Sequence, residues 1–306
     1  MNNFFYEQTF GVEVELTGIT RNHAATVIAN YFGGSVRHEY DGYDTYSTLS
    51  RDGRKWKAMS DSSIHAERRR GVATGNTEYR CEVVTPILRY EDMDDLQNII
   101  RALREAGAFA NSSCGIHVHV GAQNLDAYAM TRLANLFLKR QDLINDALQN
   151  HSRSYWCKKL NPKLVDELRK TEKTKAAFKP VWYGPLNDGG DRSTESHYNQ
   201  TRYHGLNLHA WYTKGTVEFR LFNGTNHAGK IKAYVQFCLA LATYANGTAE
   251  NHENVNARFP KTDRMTNEEK GRAMLTLLED RLHLTGSEFK TCRLHMTAAF
   301  TGVNAD

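Results

Sequence analysis

Five stretches of this chain alternate apolar residues with acids, histidines, arginines or asparagine, and this alternation constrains the fold more than any other feature. Side chains two apart on a strand share a face, whereas a helix needs spacings of three and four. Glu13 and Glu15 therefore face one way while Val12, Val14 and Leu16 face the other. The same split separates His117 and His119 from Ile116, Val118 and Val120, and Glu218 and Arg220 from Val217, Phe219 and Leu221. It also separates Asn207 and His209 from Leu206, Leu208 and Ala210, and Arg80 and Glu82 from Cys81 and Val83. Asp61, at the end of a further strand, is placed to join the polar set. A solvated sheet face alternates as well, but it is ordinarily built of Lys, Thr, Ser and Gln. A face of Glu, His, Asn and Arg points instead to a shared functional site.

Around these strands the pattern predicts an α+β chain. Residues 8–18 read as a strand and 20–34 as a helix with Thr20 as N-cap and Gly33-Gly34 as its stop. Two strands, 54–61 and 78–85, flank a basic glycine-containing loop, HAERRRGVATGN, and Pro86 ends the second. A helix over 91–107, a short strand over 114–121 and a helix over 126–149 follow. Residues 151–203 are basic and broken by prolines and glycines, with a helical piece near 163–177; they read as a lid or insertion. A β-hairpin over 206–224 turning near Lys214-Gly215, an apolar helix over 228–246 and a helix over 266–283 complete the reading. The expected organisation is a catalytic domain over 1–250 and a helical C-terminal appendage over 251–306.

Composition removes several classes of function. The longest mostly apolar run, Val235–Ala245, is far short of the ~20 residues needed to span a bilayer. The opening MNNFFYEQTF lacks a basic segment followed by an apolar one, so no signal peptide is expected. Five cysteines without CxxC spacing fit reduced thiols and a cytoplasmic location. A net charge of +4, from 39 basic and 35 acidic residues, is too small and dispersed for a nucleic-acid binder.

If Glu13, Glu15, Asp61, Glu82 and Glu218 converge, the five carboxylates cannot all remain ionised without cations. Hard oxygen donors with one imidazole suit Mg²⁺ or Mn²⁺ better than Zn²⁺. Magnesium is commonly shared with phosphate oxygens, so an acid-rich site beside Arg220 suggests a nucleoside triphosphate and phosphoryl chemistry. Three other motifs compete for attention. GTNHAGK (224–230) matches the GxxxxGK spacing of a phosphate loop, but Ile231 stands where the magnesium-binding Ser or Thr belongs. The His117-x-His119 pair also suits a metal-dependent hydrolase, although no Asp-His follows it. Cys114 beside a strand is either a thiol nucleophile or a small buried residue.

Taken in order, FGVEVEL (10–16), W-x-x-x-x-D-S-S (56–63), CEVVTPIL (81–88), CGIHVHVG (114–121), R-Y-x-G-L-N-L (202–208) and GTVEFRLFNGT (215–225) resemble the amidoligase family of the carboxylate-amine ligase superfamily. Its wider relatives are glutamine synthetase and γ-glutamylcysteine synthetase. The resemblance implies a curved, mostly antiparallel sheet like that of glutamine synthetase, with an acidic and histidine-bearing catalytic face and helices on the other. It implies that Glu13, His117 and Glu218 hold the metal on the ATP phosphates, and that Glu15, Asp61 and Glu82 hold a metal nearer the substrate carboxylate. Arg220, His119 and Glu218 are then catalytic, and Arg202 and Asn207 join Arg220 and His119 around the nucleotide. The implied reaction is ATP-dependent amide formation from a carboxylate and an amine through an acylphosphate. The alternatives are a metal-dependent hydrolase using the HxH pair and a degenerate ligase domain that binds nucleotide or peptide.

Overall fold

The computed structural model of the chain describes residues 1–153, 155–189, 194, 196, 198–247 and 261–302. Helix α1 (Asn3–Glu7) leads into strand β1 (Phe10–Leu16) and helix α2 (Arg21–Phe32), after which come β2 (Arg37–His38), β3 (Tyr46–Leu49), β4 (Lys55–Met59), β5 (Glu67–Arg69), β6 (Val72–Ala73) and β7 (Cys81–Val84). Helix α3 (Met93–Glu105), strand β8 (Gly115–Gly121) and helix α4 (Ala127–Leu148) form the middle of the chain. Then follow α5 (Pro162–Lys170), α6 (Lys175–Trp182), β9 (Leu206–Asn207), α7 (His209–Thr213), β10 (Thr216–Asn223), α8 (Ala228–Asn246), α9 (Asn267–Thr276) and α10 (Lys290–Thr301).

The local signals were good guides. Thr20 caps α2 by accepting from His23 N, and Gly33 closes it with N–H bonds to Ala29 O and Asn30 O. Asp126 caps α4 through Ala129 N. The apolar halves of the alternating strands are fully buried, including Val12, Val14, Leu16, Ile116, Val118, Val120, Val217, Phe219 and Leu221. Other elements differ from expectation. The helical piece near 163–177 is two helices, α5 and α6. The 266–283 helix is α9 followed by a π-helical turn, Leu277–Arg281. β2, β3, α1 and α10 carried no periodicity long enough to read. Of the expected appendage, 251–260 and 303–306 lie outside the described residues.

The chain forms two compact units. One comprises Thr9–Val118 and Phe222–Tyr234, and the other Met1–Gln8, His119–Leu221 and Val235–Asp306. Strands β8 and β10 carry residues of both, and the hydrogen-bonded strand order is β2-β3-β4-β7-β1-β8-β10-β9. The pairings β2/β3, β3/β4, β4/β7, β7/β1 and β10/β9 are antiparallel. This corrects the expected curved, glutamine-synthetase-like sheet: the strand order is open, with β2 at one end and β9 at the other. The physical reason lies at its ends. β2 and β9 are two residues each and present too few backbone groups to extend the ladder further. The expected hairpin over 206–224 is present in part. β9 and β10 do pair, Glu218 opposite Asn207, but α7 intervenes and takes His209 off the strand face.

Strand β4 is tied to the start of α3 by a two-pronged ion pair, Arg54 Nη1 and Nη2 donating to Asp92 at 2.8 and 2.7 Å. The guanidinium holds the Asp92 carboxyl below its ordinary range. A carboxylate depressed in the folded state contributes stability above its unfolded pKa, near 4, and loses it as pH falls through the folded value. Asp92→Asn should therefore cost about 1 kcal/mol at pH 7, the pair being partly solvated, and should flatten the acid limb below about pH 4. Urea unfolding of both proteins across that range measures this; an unchanged acid limb would refute it.

No helix among the described residues is long and apolar enough to cross a membrane.

Candidate active site

The polar halves of the alternating strands are not solvated. Glu15 is 3% exposed, Glu82 8%, His117 2%, His119 7%, Asn207 1%, Glu218 3% and Arg220 5%. Charged side chains are almost never buried this deeply unless they are paired or bind ions.

In the unit containing β1 and β7, strand register sets Glu15 directly opposite Glu82. Like charges facing each other across a ladder are destabilising, and burial sharpens the cost. Part of the compensation is internal: Gly115 N donates to Glu15 Oε2 at 2.5 Å, and His117 Nε2 lies 3.6 Å from Glu15 Oε1. On its other side His117 Nδ1 is 3.0 Å from Glu13 Oε2. When Nδ1–H donates to Glu13, Nε2 carries the lone pair, the arrangement by which a carboxylate orients a metal-ligating imidazole. One ligand atom each from Glu15, Glu82 and His117 falls within a 4.8 Å cluster. Two hard carboxylates and one imidazole fit Mg²⁺ or Mn²⁺, and the absence of thiolate from the set disfavours a structural zinc site. Asp61 Oδ1 accepts from Ser63 N at 2.7 Å in an Asx turn.

In the other unit, Glu218 is the hub. Arg220 Nη1 donates to its Oε1 at 2.5 Å, Asn207 Nδ2 donates to its Oε2 at 2.7 Å, and His119 Nε2 stands 3.8 Å from Oε1. Each contact follows from strand geometry. Glu218 and Arg220 are two apart on β10, and Asn207 is the register partner of Glu218 on β9. His119 Nδ1 is 3.0 Å from Thr216 Oγ1. The Arg220 guanidinium also lies over the Tyr203 ring at 5.9 Å, with Arg202 over the same ring at 5.5 Å. Cys157 Sγ contacts Arg220 O, and Arg220 N donates to Gly205 O at 2.9 Å, which locks this strand to the R-Y-x-G segment. Sequence reasoning missed Asn207 as a clamp on Glu218, and missed Thr216 and Tyr203 as partners. The RYxGLNL motif contained two of the three, but nothing local said what they touch. His209, on α7, instead meets Tyr183 Oη at 2.7 Å through Nδ1.

The competing motifs have structural explanations. GTNHAGK leaves β10 with Gly224 packed against Cys114: a Cβ built on Gly224 would sit 2.5 Å from Cys114 Cβ and 2.8 Å from its carbonyl carbon and oxygen. Cys114 is buried, its Sγ 3.4 Å from Asn111 Oδ1, and none of the five cysteines is in a disulfide. Burial pushes the thiols of Cys81 and Cys292 up to about 12, which keeps them protonated and inert.

A family model described as "Putative amidoligase enzyme" matches residues 6–242, most of the chain. No curated protein matches it.

Proposed function

The chain belongs to the amidoligase family, and from that premise we propose that it uses ATP to join a carboxylate to an amine through an acylphosphate. The observation that carries this reading is the set of buried charged and polar side chains on the strand faces: Glu15, Glu82 and His117 in one unit, and Glu218, Arg220, His119 and Asn207 in the other.

In the proposed reaction a substrate carboxylate oxygen attacks the γ-phosphorus and ADP leaves. The amine nitrogen then attacks the acyl carbon, phosphate leaves, and the amine gives up a proton. A divalent cation held by Glu15, Glu82 and His117, Mg²⁺ or Mn²⁺, would neutralise phosphate oxygens. Arg220 and His119 supply donors to the transferred phosphoryl group, and Arg202 to the nucleotide phosphates. Glu218 and Asn207 fix the Arg220 guanidinium before substrate arrives, so no reorganisation is needed as charge spreads in the transition state. Burial strengthens each of these interactions and protects the acylphosphate from water.

Thermal unfolding tests the nucleotide and metal requirement without a guess at substrate. ATP and Mg²⁺ together, at about 100 times their dissociation constant, should add about 2.7 kcal/mol and raise the midpoint by several degrees, with neither alone doing so. If ATP has no effect while Zn²⁺ alone stabilises strongly, the nucleotide reading falls and the hydrolase takes its place.

A further inference from the structure

Between β4 and β7 the chain makes a separate two-stranded sheet, β5 paired with β6, with Arg68 and Arg69 on β5 and Arg70 in the turn. Consecutive arginines are ordinarily a solvated surface. Here three observations set them apart.

First, the hairpin is rigidly seated. Glu67 N donates to Thr17 Oγ1 at 2.8 Å, Thr17 Oγ1 donates to Glu67 O at 2.9 Å, and Gly18 N donates to the same oxygen at 2.9 Å. Gly18, at φ 76°, lets the backbones close: a Cβ there would lie 2.5 Å from the Phe109 ring and 2.6 Å from Gly107 O. Arg70 stacks over that same Phe109 ring at 4.9 Å.

Second, the one acid of the hairpin is fully used. Glu67 accepts from Asn111 Nδ2 at 2.9 Å and from Gly71 N at 2.7 Å. Among the described residues no hydrogen bond or ion pair engages the side chain of Arg68 or Arg69, and both residues are exposed. Nearby in sequence, Arg80 keeps Nε buried with no acceptor among the described residues.

Third, one anchor of the hairpin, Thr17, lies two residues beyond Glu15 on the same chain segment, about 7 Å along an extended backbone. That is the spacing at which an extended peptide repeats its same-side side chains, about 7 Å. Guanidinium forks match carboxylates, and the exposed Val72 beside Arg69 adds an apolar contact that a polypeptide can use. The chain's charge balance of 39 to 35 provides no extended basic field of the kind a phosphate backbone requires.

We propose that the Arg68–Arg70 hairpin binds an acidic polypeptide segment, and that such a segment is the carboxylate substrate of this enzyme. The binding stands on the hairpin alone; the substrate role rests on the ligase reading above. The test is fluorescence anisotropy of labelled hexaglutamate at low ionic strength, with the full chain and with Arg68→Gln/Arg69→Gln and Arg68→Glu/Arg69→Glu. Hexaglutamate should bind the wild type, at least about tenfold more weakly the glutamine variant, and more weakly still the reversal, with unchanged thermal midpoints. Hexalysine should not bind. No binding to the wild type, or binding indifferent to both variants, would overturn the proposal, as would an oligothymidylate that binds the wild type more tightly than hexaglutamate. Hexaglutamate binding lost in the variants while Mg²⁺-ATP fails to shift the midpoint would remove the ligase reading and leave the hairpin site. A nucleotide shift with hexaglutamate binding insensitive to the variants would do the reverse.

Discussion

Glu218→Gln should lower ATP-dependent amide formation by about 10²–10³-fold and destabilise the fold by about 3 kcal/mol. Glutamine nearly matches the shape of glutamate and can still meet Asn207, but it cannot balance Arg220, which is 5% exposed and bonded through its guanidinium to Glu218 at 2.5 Å. Breaking a buried pair by removing one partner leaves the other charge without compensation in a poorly hydrated place, and this costs more than the pair contributes. The two effects separate in Glu218→Gln/Arg220→Met. Removing both charges should recover most of the stability, because methionine fills much of the arginine volume without needing a counter-ion, while activity stays lost. Denaturant unfolding and phosphate release in parallel measure this. Glu218→Gln with wild-type turnover would sink the catalytic role, and a double variant that stays as unstable as the single would show that charge balance is not what holds the cluster.

Gly224→Ala should cost about 3 kcal/mol, an unusually large effect for one added methyl. The added Cβ meets Cys114 Cβ at 2.5 Å and the Cys114 carbonyl at 2.8 Å, so main chain, not a flexible side chain, has to move. Gly224 N also donates to Cys114 O at 2.9 Å, and that bond would stretch with it. The next residue, Gly115, gives its N–H to Glu15, so the shift reaches the carboxylate opposed to Glu82. A weakened stabilisation by ATP with Mg²⁺ should therefore accompany the lost stability. Gly215→Ala is the control: its Cβ meets nothing within 4 Å, and only its φ of 68° resists, which limits the cost to about 1 kcal/mol. A phosphate-loop role for GTNHAGK predicts the opposite pattern. Lys230→Ala would then abolish the response to ATP and Mg²⁺, whereas the structural role leaves that response intact. Loss of the nucleotide shift in Lys230→Ala at wild-type stability would reinstate the phosphate loop.

The sequence by itself determined what is local. A period of two marked β1, β7, β8 and β10 and divided their faces, because alternate side chains on any strand point opposite ways. Thr20 and Gly33 marked helix ends, because a cap is made by groups three or four residues apart. The ordered motifs indicated the family for the same reason, being short strings whose spacing survives without knowledge of the fold. Tertiary structure decided what depends on partners distant in the chain. Register alone puts Glu15 opposite Glu82 and Asn207 opposite Glu218, and a slip of one residue would have turned every one of these side chains to the other face. Asp61 Oδ1 accepts from Ser63 N within its own turn, a local bond that strand alternation does not reveal. His209 kept the strand period but entered α7, and β2 and β9 ended as two-residue edges that leave the sheet open. Burial of the polar faces was invisible for the same reason. Alternation states which side chains share a face, and only packing from residues far along the chain determines whether that face meets water.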